Sequence, residues 1–203
     1  MNQDKHIIIT ITIIVILLIS IGISLYVYQK IRYSDVFFKY GEFDIHKVKS
    51  GKIEQYEISF YKENSPQPYI INSRYHPKDL EEIEIYDNIR KDLIKERLYV
   101  TMDPYLPSSA IIAFAEINKY MENPFLFNLP TYPGIIQQAK NSTLPVITCN
   151  NVSSSISIIL FEIGEKNGIH NRNGCIILEA TTADNLIRLA DRLSLTALGI
   201  MKP

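Results

Sequence analysis

The hydrophobic positions fall into one unbroken block followed by short periodic runs. From Ile7 to Tyr28 there are 22 residues without a charge, IIITITIIVILLISIGISLYVY, and fifteen of them are Ile, Leu or Val. A helix of that length extends about 33 Å, against about 30 Å for a hydrocarbon core. The fifteen residues contribute at most roughly −5 to −9 kcal/mol of insertion free energy. The pattern predicts one transmembrane helix over 7–28 behind a short tail, residues 1–6. The block is longer than the roughly 7–15 apolar residues of a cleaved signal, and no small-x-small motif follows it, so it reads as an uncleaved, single-pass signal anchor.

Beyond it, residues 29–52 mix aromatic and charged side chains with Gly41 and Gly51 as breakers, the pattern of a juxtamembrane neck with a short helix and a turn. Tyr26, Tyr28 and Tyr33 are placed to anchor the span at the interface. Residues 53–203 then read as one domain. Ile53–Tyr61 alternates with Tyr56, Ile58 and Phe60 on one face, and a Pro-rich turn leads to an extended run at Tyr69–Tyr75, together a hairpin. Asp87 is placed to cap a helix ending near Arg97. Leu98–Met102 reads as a buried strand, Asp103–Pro107 as a loop, and Ser108 as the cap of a helix with Ile111, Ile112, Phe114, Ala115, Ile117 and Met121 as its buried stripe. The prolines of 123–134 predict an irregular connection, with a short helix near 135–140.

Three strand-like runs follow, Leu144–Cys149, Ser157–Ile163 and Gly174–Glu179. A last helix, capped by Thr182 or Asp184, carries Leu186, Ile187, Leu189, Ala190, Leu193 and Leu198 on its apolar side. On it Asp184, Arg188, Asp191 and Arg192 have the spacing to pair along an exposed face. Strand, loop and amphipathic helix occur in the same order at 98–121 and 175–201. The fold class expected is therefore an N-terminal transmembrane helix plus one α/β (α+β) domain, a mixed sheet with packed helices.

Charge narrows the functional classes. Lys plus Arg number 21 against 22 Asp plus Glu, so no field favours nucleic acid, and none is expected as a partner. The positive-inside count of Lys5 against Lys30, Arg32 and Lys39 slightly favours a cytoplasmic domain, whereas a very short N-terminal tail behaves as the retained end of a signal anchor. The latter predicts an extracytoplasmic domain.

No arrangement of nucleophile and base is evident: GxSxG, HExxH, GxxxxGK[ST] and CxxC are all absent. Cys149, His170 and Cys175, with His76 as a distant fourth, match no zinc spacing. The acidic run Asp79, Glu81, Glu82, Glu84 and Asp87 lacks the pattern of a calcium loop and reads as a solvated helix start. Catalytic, cofactor-binding and metal-ligating residues are thus expected to be none, and no cofactor is implied. Cys149 and Cys175 could form a disulfide in an external domain, or remain two buried thiols. Two glycosylation sequons begin at Asn141 and Asn151. With 14 Asn and 24 Ser plus Thr in 203 residues, about 1.7 sequons arise by chance, so their number decides nothing.

The stretch Gly174-Cys-Ile-Ile-Leu-Glu-Ala-Thr-Thr-Ala-Asp-Asn-Leu-Ile-Arg-Leu-Ala-Asp-Arg-Leu193, with Leu198-Gly-Ile-Met201, resembles the C-terminal end of uncharacterised single-span membrane proteins of archaea. With Val146-Ile-Thr-Cys-Asn-Asn151 it is also similar to domains of archaeal S-layer-associated proteins. The resemblance implies an envelope-facing location and pairing of the cysteines, and it carries over no activity. The expected role is a membrane-anchored, extracytoplasmic binding or structural module of the cell envelope. Its partners would be the lipid bilayer, through 7–28, and an envelope protein or glycan. The alternative is a membrane-tethered enzyme or a cytoplasmic-facing accessory domain of a membrane complex.

Overall fold

Alternation of apolar and polar side chains builds the strand Ile53–Phe60, and near-continuous apolar runs build the central strands Arg97–Met102, Ile156–Ile163 and Cys175–Ala180. The computed structural model describes residues 13–26, 36–51, 53–61, 68–140 and 142–203. Residues 13–26 form helix α1, and every one of them is exposed. Among the described residues no helix is long and apolar enough to cross a membrane. The 14 residues of α1 extend about 21 Å; the rest of the expected 7–28 span, and Asn141, lie outside the described residues.

Four strands form an antiparallel meander in the order β1 (Val36–Tyr40), β2 (Phe43–Ser50), β3 (Ile53–Phe60), β4 (Tyr69–Ser73). Residues 36–50, which composition assigns to a neck with a short helix, are thus two strands of the domain. Gly41, at φ +59°, turns between them where a β-carbon would be strained. Register lines up Phe38, Ile45, Ile58 and Ile71 across the sheet. Ile45, Ile58 and Ile71 enter the main core, while His46, Glu57 and Asn72 alternate onto the other face.

The second sheet has six strands: β5 (Glu84–Ile85), β9 (Gly168–Arg172), β10 (Cys175–Ala180), β8 (Ile156–Ile163), β6 (Arg97–Met102) and β7 (Thr131–Ile135), in that spatial order. The last four are mutually parallel, and β9 runs antiparallel to β10. Helices α2 (Ile89–Leu93), α3 (Ser108–Met121) and α4 (Asn185–Ala197) contribute to the core on one face. The result is a mixed α+β domain with two sheets. On the other face Ile158, Ile177 and Cys175 form a smaller core with Tyr99, Ile147, Cys149 and Val152.

Several elements depart from the sequence pattern. β7 forms inside the connection expected to be irregular, and residues 135–140 contain no helix. Pro133 is tolerated because β7 is an edge strand, where its missing N–H costs nothing. α2 ends at Leu93, since Arg97 already begins β6. Leu144–Cys149 provides only a bridge, Ile135 to Val146.

The exposed charge face expected on α4 is also wrong for two of its four members. Asp191 is fully buried and Arg192 nearly so. Asp191 Oδ2 accepts from Ser73 Oγ (2.8 Å), Arg74 N (2.8 Å) and Tyr75 N (3.1 Å), which clasps the end of β4 to the helical layer. Beside it the guanidinium of Arg74 and the amine of Lys119 both bond the Glu116 carboxylate. Lys119 and Tyr120 also donate to the Asn72 carbonyl, at 2.6 and 2.5 Å. Arg192 donates to Ile83 O and Thr196 Oγ1. Position along a helix cannot reveal the partners of Asp191, because they come from the end of β4 more than a hundred residues earlier.

Candidate functional site

The loop Asp103–Pro107 joins β6 to α3 at the carboxyl ends of the parallel strands. β6 is followed by α3 and then by β7 on one side, whereas β8 is followed by β9 and β10 on the other. Connections that diverge from neighbouring strands leave a crevice between them, the usual place for ligands in open α/β sheets. Here two hollows flank the loop. One, of about 610 Å³, is lined by Met102, Leu106, Ile111, Phe114, Ile135 and Leu144, with Asp103 and Lys140 among its polar residues. The other, of about 450 Å³, lies between the same loop, Phe161–Ile163 and Arg172.

The loop is held from within. Asp103 Oδ1 accepts the Tyr105 N–H at 2.9 Å, an Asx turn, and Oδ2 accepts from Gln137 Nε2 at 3.4 Å. This projects Tyr105 outward, 76% exposed. α3 explains the apolar wall. Its buried face is Ala110, Ala113, Glu116, Ile117, Tyr120 and Met121, rotated from the stripe expected. Ile111 is therefore left 64% exposed over the hollow. Leu144, 38% exposed, stands on the opposite wall, in the segment tied to β7 by Ile135 N–H to Pro145 O and Ile147 N–H to Ile135 O.

The second hollow borders a polar patch on the helix-free face of the sheet. Glu162 and Glu179 are aligned on β8 and β10. Arg172 bonds Glu162 at 2.9 Å and His170 bonds Glu179 at 3.0 Å. Burial pushes the Glu179 carboxyl up, but the N–H groups of Lys166 and Glu165 and the His170 ring outweigh it, and the net shift is downward. The arrangement pairs each carboxylate with a basic side chain.

Cys149 and Cys175 are joined, with Sγ atoms 2.17 Å apart, which removes both from any metal site. His170 is engaged with Glu179. His76 lies elsewhere, edge-on to Phe38 and Tyr56 with ring centroids 5.2 and 5.3 Å away, and burial lowers its pKa. The acidic run receives α4: Arg188 donates to Asp79 O and Glu82 Oε1, each at 2.7 Å. Among the described residues no group of His, Cys, Asp and Glu could hold a metal ion. Asn151 is exposed in a 3-10 turn, its Oδ1 accepting the Thr148 N–H.

The groove residues Tyr105, Ile111, Lys140 and Leu144 carry no motif. The one signal available was the loop rich in Pro and Asp between a buried strand and an amphipathic helix. No family model matches the chain, and neither does any curated protein or solved structure.

Proposed function

We propose that the protein is a single-pass, membrane-anchored module of the cell envelope. Its α+β domain lies outside the cytoplasm and binds ligand at the carboxyl edge of the parallel strands without chemistry. The observation that carries the reading is the exposure of α1. Its ten Ile, Leu and Val residues are 47–63% exposed and take no part in either core. Ten such residues are worth roughly −3 to −6 kcal/mol in a bilayer, and they extend in sequence into the charge-free residues 7–12. A bonded cysteine pair supports an oxidising compartment. The mostly apolar lining of the larger hollow, with few polar groups at its rim, supports binding.

An impermeant thiol reagent applied to whole cells tests the placement. On an external domain the cysteines label only after reduction. Protection with and without reductant until lysis, with resistance to added protease, would put the domain inside.

A further inference from the structure

We infer that the basic end of the β1–β3 meander rests on the bilayer that holds α1, with the Ser50–Gly51 turn against anionic lipid headgroups. The inference rests on the anchored half of the proposed function and holds for either side of the membrane. Charge is divided unevenly along the chain. Residues 29–52 carry six basic and three acidic side chains, whereas residues 53–203 carry 14 and 18. The positive excess thus follows directly on the expected span, where the field of an anionic membrane surface acts.

Antiparallel register sorts these charges between the two ends of the meander. Val36, where β1 begins, pairs with Lys47 on β2, and Ser50 pairs with Ile53 across the next turn. Lys47, Lys49 and, by sequence, Lys52 therefore gather at the end from which the chain runs back to α1. Glu42 and Asp44 lie at the other end, around the Gly41 turn, where Lys39 is paired in register with Asp44. The eight residues of β2 separate the ends by about 26 Å, against a screening length of roughly 8 Å at physiological salt. Glu54 is the carboxylate at the basic end: it takes Lys47 at 2.7 Å and stands across from Lys49. With Glu54 counted, and with the Lys30, Arg32 and Asp35 of the connecting segment, that end still has five basic against two acidic side chains.

The tether names the partner. Val36 follows Tyr28, the end of the expected span, by eight residues, at most about 29 Å of chain. That keeps the basic end beside the bilayer at high effective concentration, an advantage no freely diffusing anionic partner has. The turn also offers an apolar contact, since Ile53 at its far side is 46% exposed. Basic side chains flanking an exposed aliphatic one are the composition that settles into the headgroup layer.

The full-length protein, carrying a fluorophore at Ser50→Cys or, in a second sample, at Glu42→Cys, is placed in nanodiscs of phosphatidylcholine alone or mixed with phosphatidylglycerol. Both kinds of disc contain a trace of lipid spin-labelled at the headgroup. The two native cysteines are bonded to each other, so the dye reacts with the introduced thiol. Position 50 is expected to be quenched in the mixed discs, more strongly than position 42, and to lose that quenching at high salt. Lys49→Gln and Lys52→Gln should each lower the docked-to-free ratio about fivefold in the mixed discs, the worth of one basic side chain at an anionic surface, and leave the phosphatidylcholine discs unchanged. The far-ultraviolet spectrum shows that each variant keeps the fold. Equal quenching at positions 42 and 50, quenching at 50 that ignores phosphatidylglycerol, or undiminished docking of both lysine variants would overturn the inference while leaving the protein in the disc. Protein that elutes apart from the discs would instead refute the anchoring itself, and the docking with it.

Discussion

Replacing Asp191 by Asn tests the buried clasp between α4 and the end of β4. The folded domain holds this carboxyl where desolvation outweighs Lys119, Ser73 and the Tyr75 N–H, with Glu116 adding repulsion, and its pKa is pushed from 3.8 up to about 6. A raised folded pKa means that the folded state keeps its proton to higher pH than the unfolded chain. The associated stability is complete below pH 3.8 and is lost as pH rises through about 6. The gap corresponds to roughly 3 kcal/mol. Asn cannot ionise but can still present an oxygen to the Arg74 and Tyr75 N–H groups. The stability difference between wild type and Asp191→Asn should therefore shift by about 2 kcal/mol in favour of wild type between pH 7.5 and pH 4, most of the full gap. Urea unfolding followed by the tyrosine near-ultraviolet signal measures it at both pH values, and comparing the two proteins cancels the other carboxylates. A difference that stays constant, or moves the other way, would refute the reasoning. Asp191→Ala supplies a second arm. It leaves two backbone N–H groups without an acceptor, at about 1–3 kcal/mol each, and so should be less stable than the Asn variant at every pH.

Further expectations follow from other positions. Replacing Cys149 and Cys175 together by Ser opens a loop spanning a sequence separation of 26 and should cost about 3 kcal/mol in urea unfolding; an unchanged midpoint would mean that the bond does not restrain the chain. Gly174→Ala should cost about 1–2 kcal/mol in the same assay, because Gly174 has φ +82° and a β-carbon there lies 3.3 Å from Val152 Cγ1. Gly41→Ala, left-handed but with nothing within 4 Å, should cost less, and the reverse order would contradict the packing described.

Legibility differed by element for physical reasons. β6, β8, β10 and the body of α4 are buried against several neighbours, so their apolar runs announce them. β9, Gly-Ile-His-Asn-Arg, is polar because its second face is open. Only the Asn173–Gly174 pair that follows, with φ of 53° and 82°, marked the two-residue hairpin turn joining it to β10. β1 and β2 were obscured because charges stand on both sides of the small sheet: Asp44 and His46 alternate with Ile45, but Lys47 and Lys49 share its parity towards the strand ends. On α3 the apolar residues outnumber the buried positions, so hydrophobicity alone could not decide which side faces the core. That surplus, Ile111 above all, became the wall of the groove. Asp191 and Arg192 read as surface charges because the groups that cover them, the end of β4 and the Ile83 carbonyl, are distant in sequence.

The central claim is that residues 7–28 lodge permanently in lipid with the folded domain beside them. Alkaline carbonate extraction of membranes carrying the full-length protein tests it most directly. The protein should remain in the pellet and be released only by detergent. Recovery in the carbonate supernatant would contradict the anchored reading.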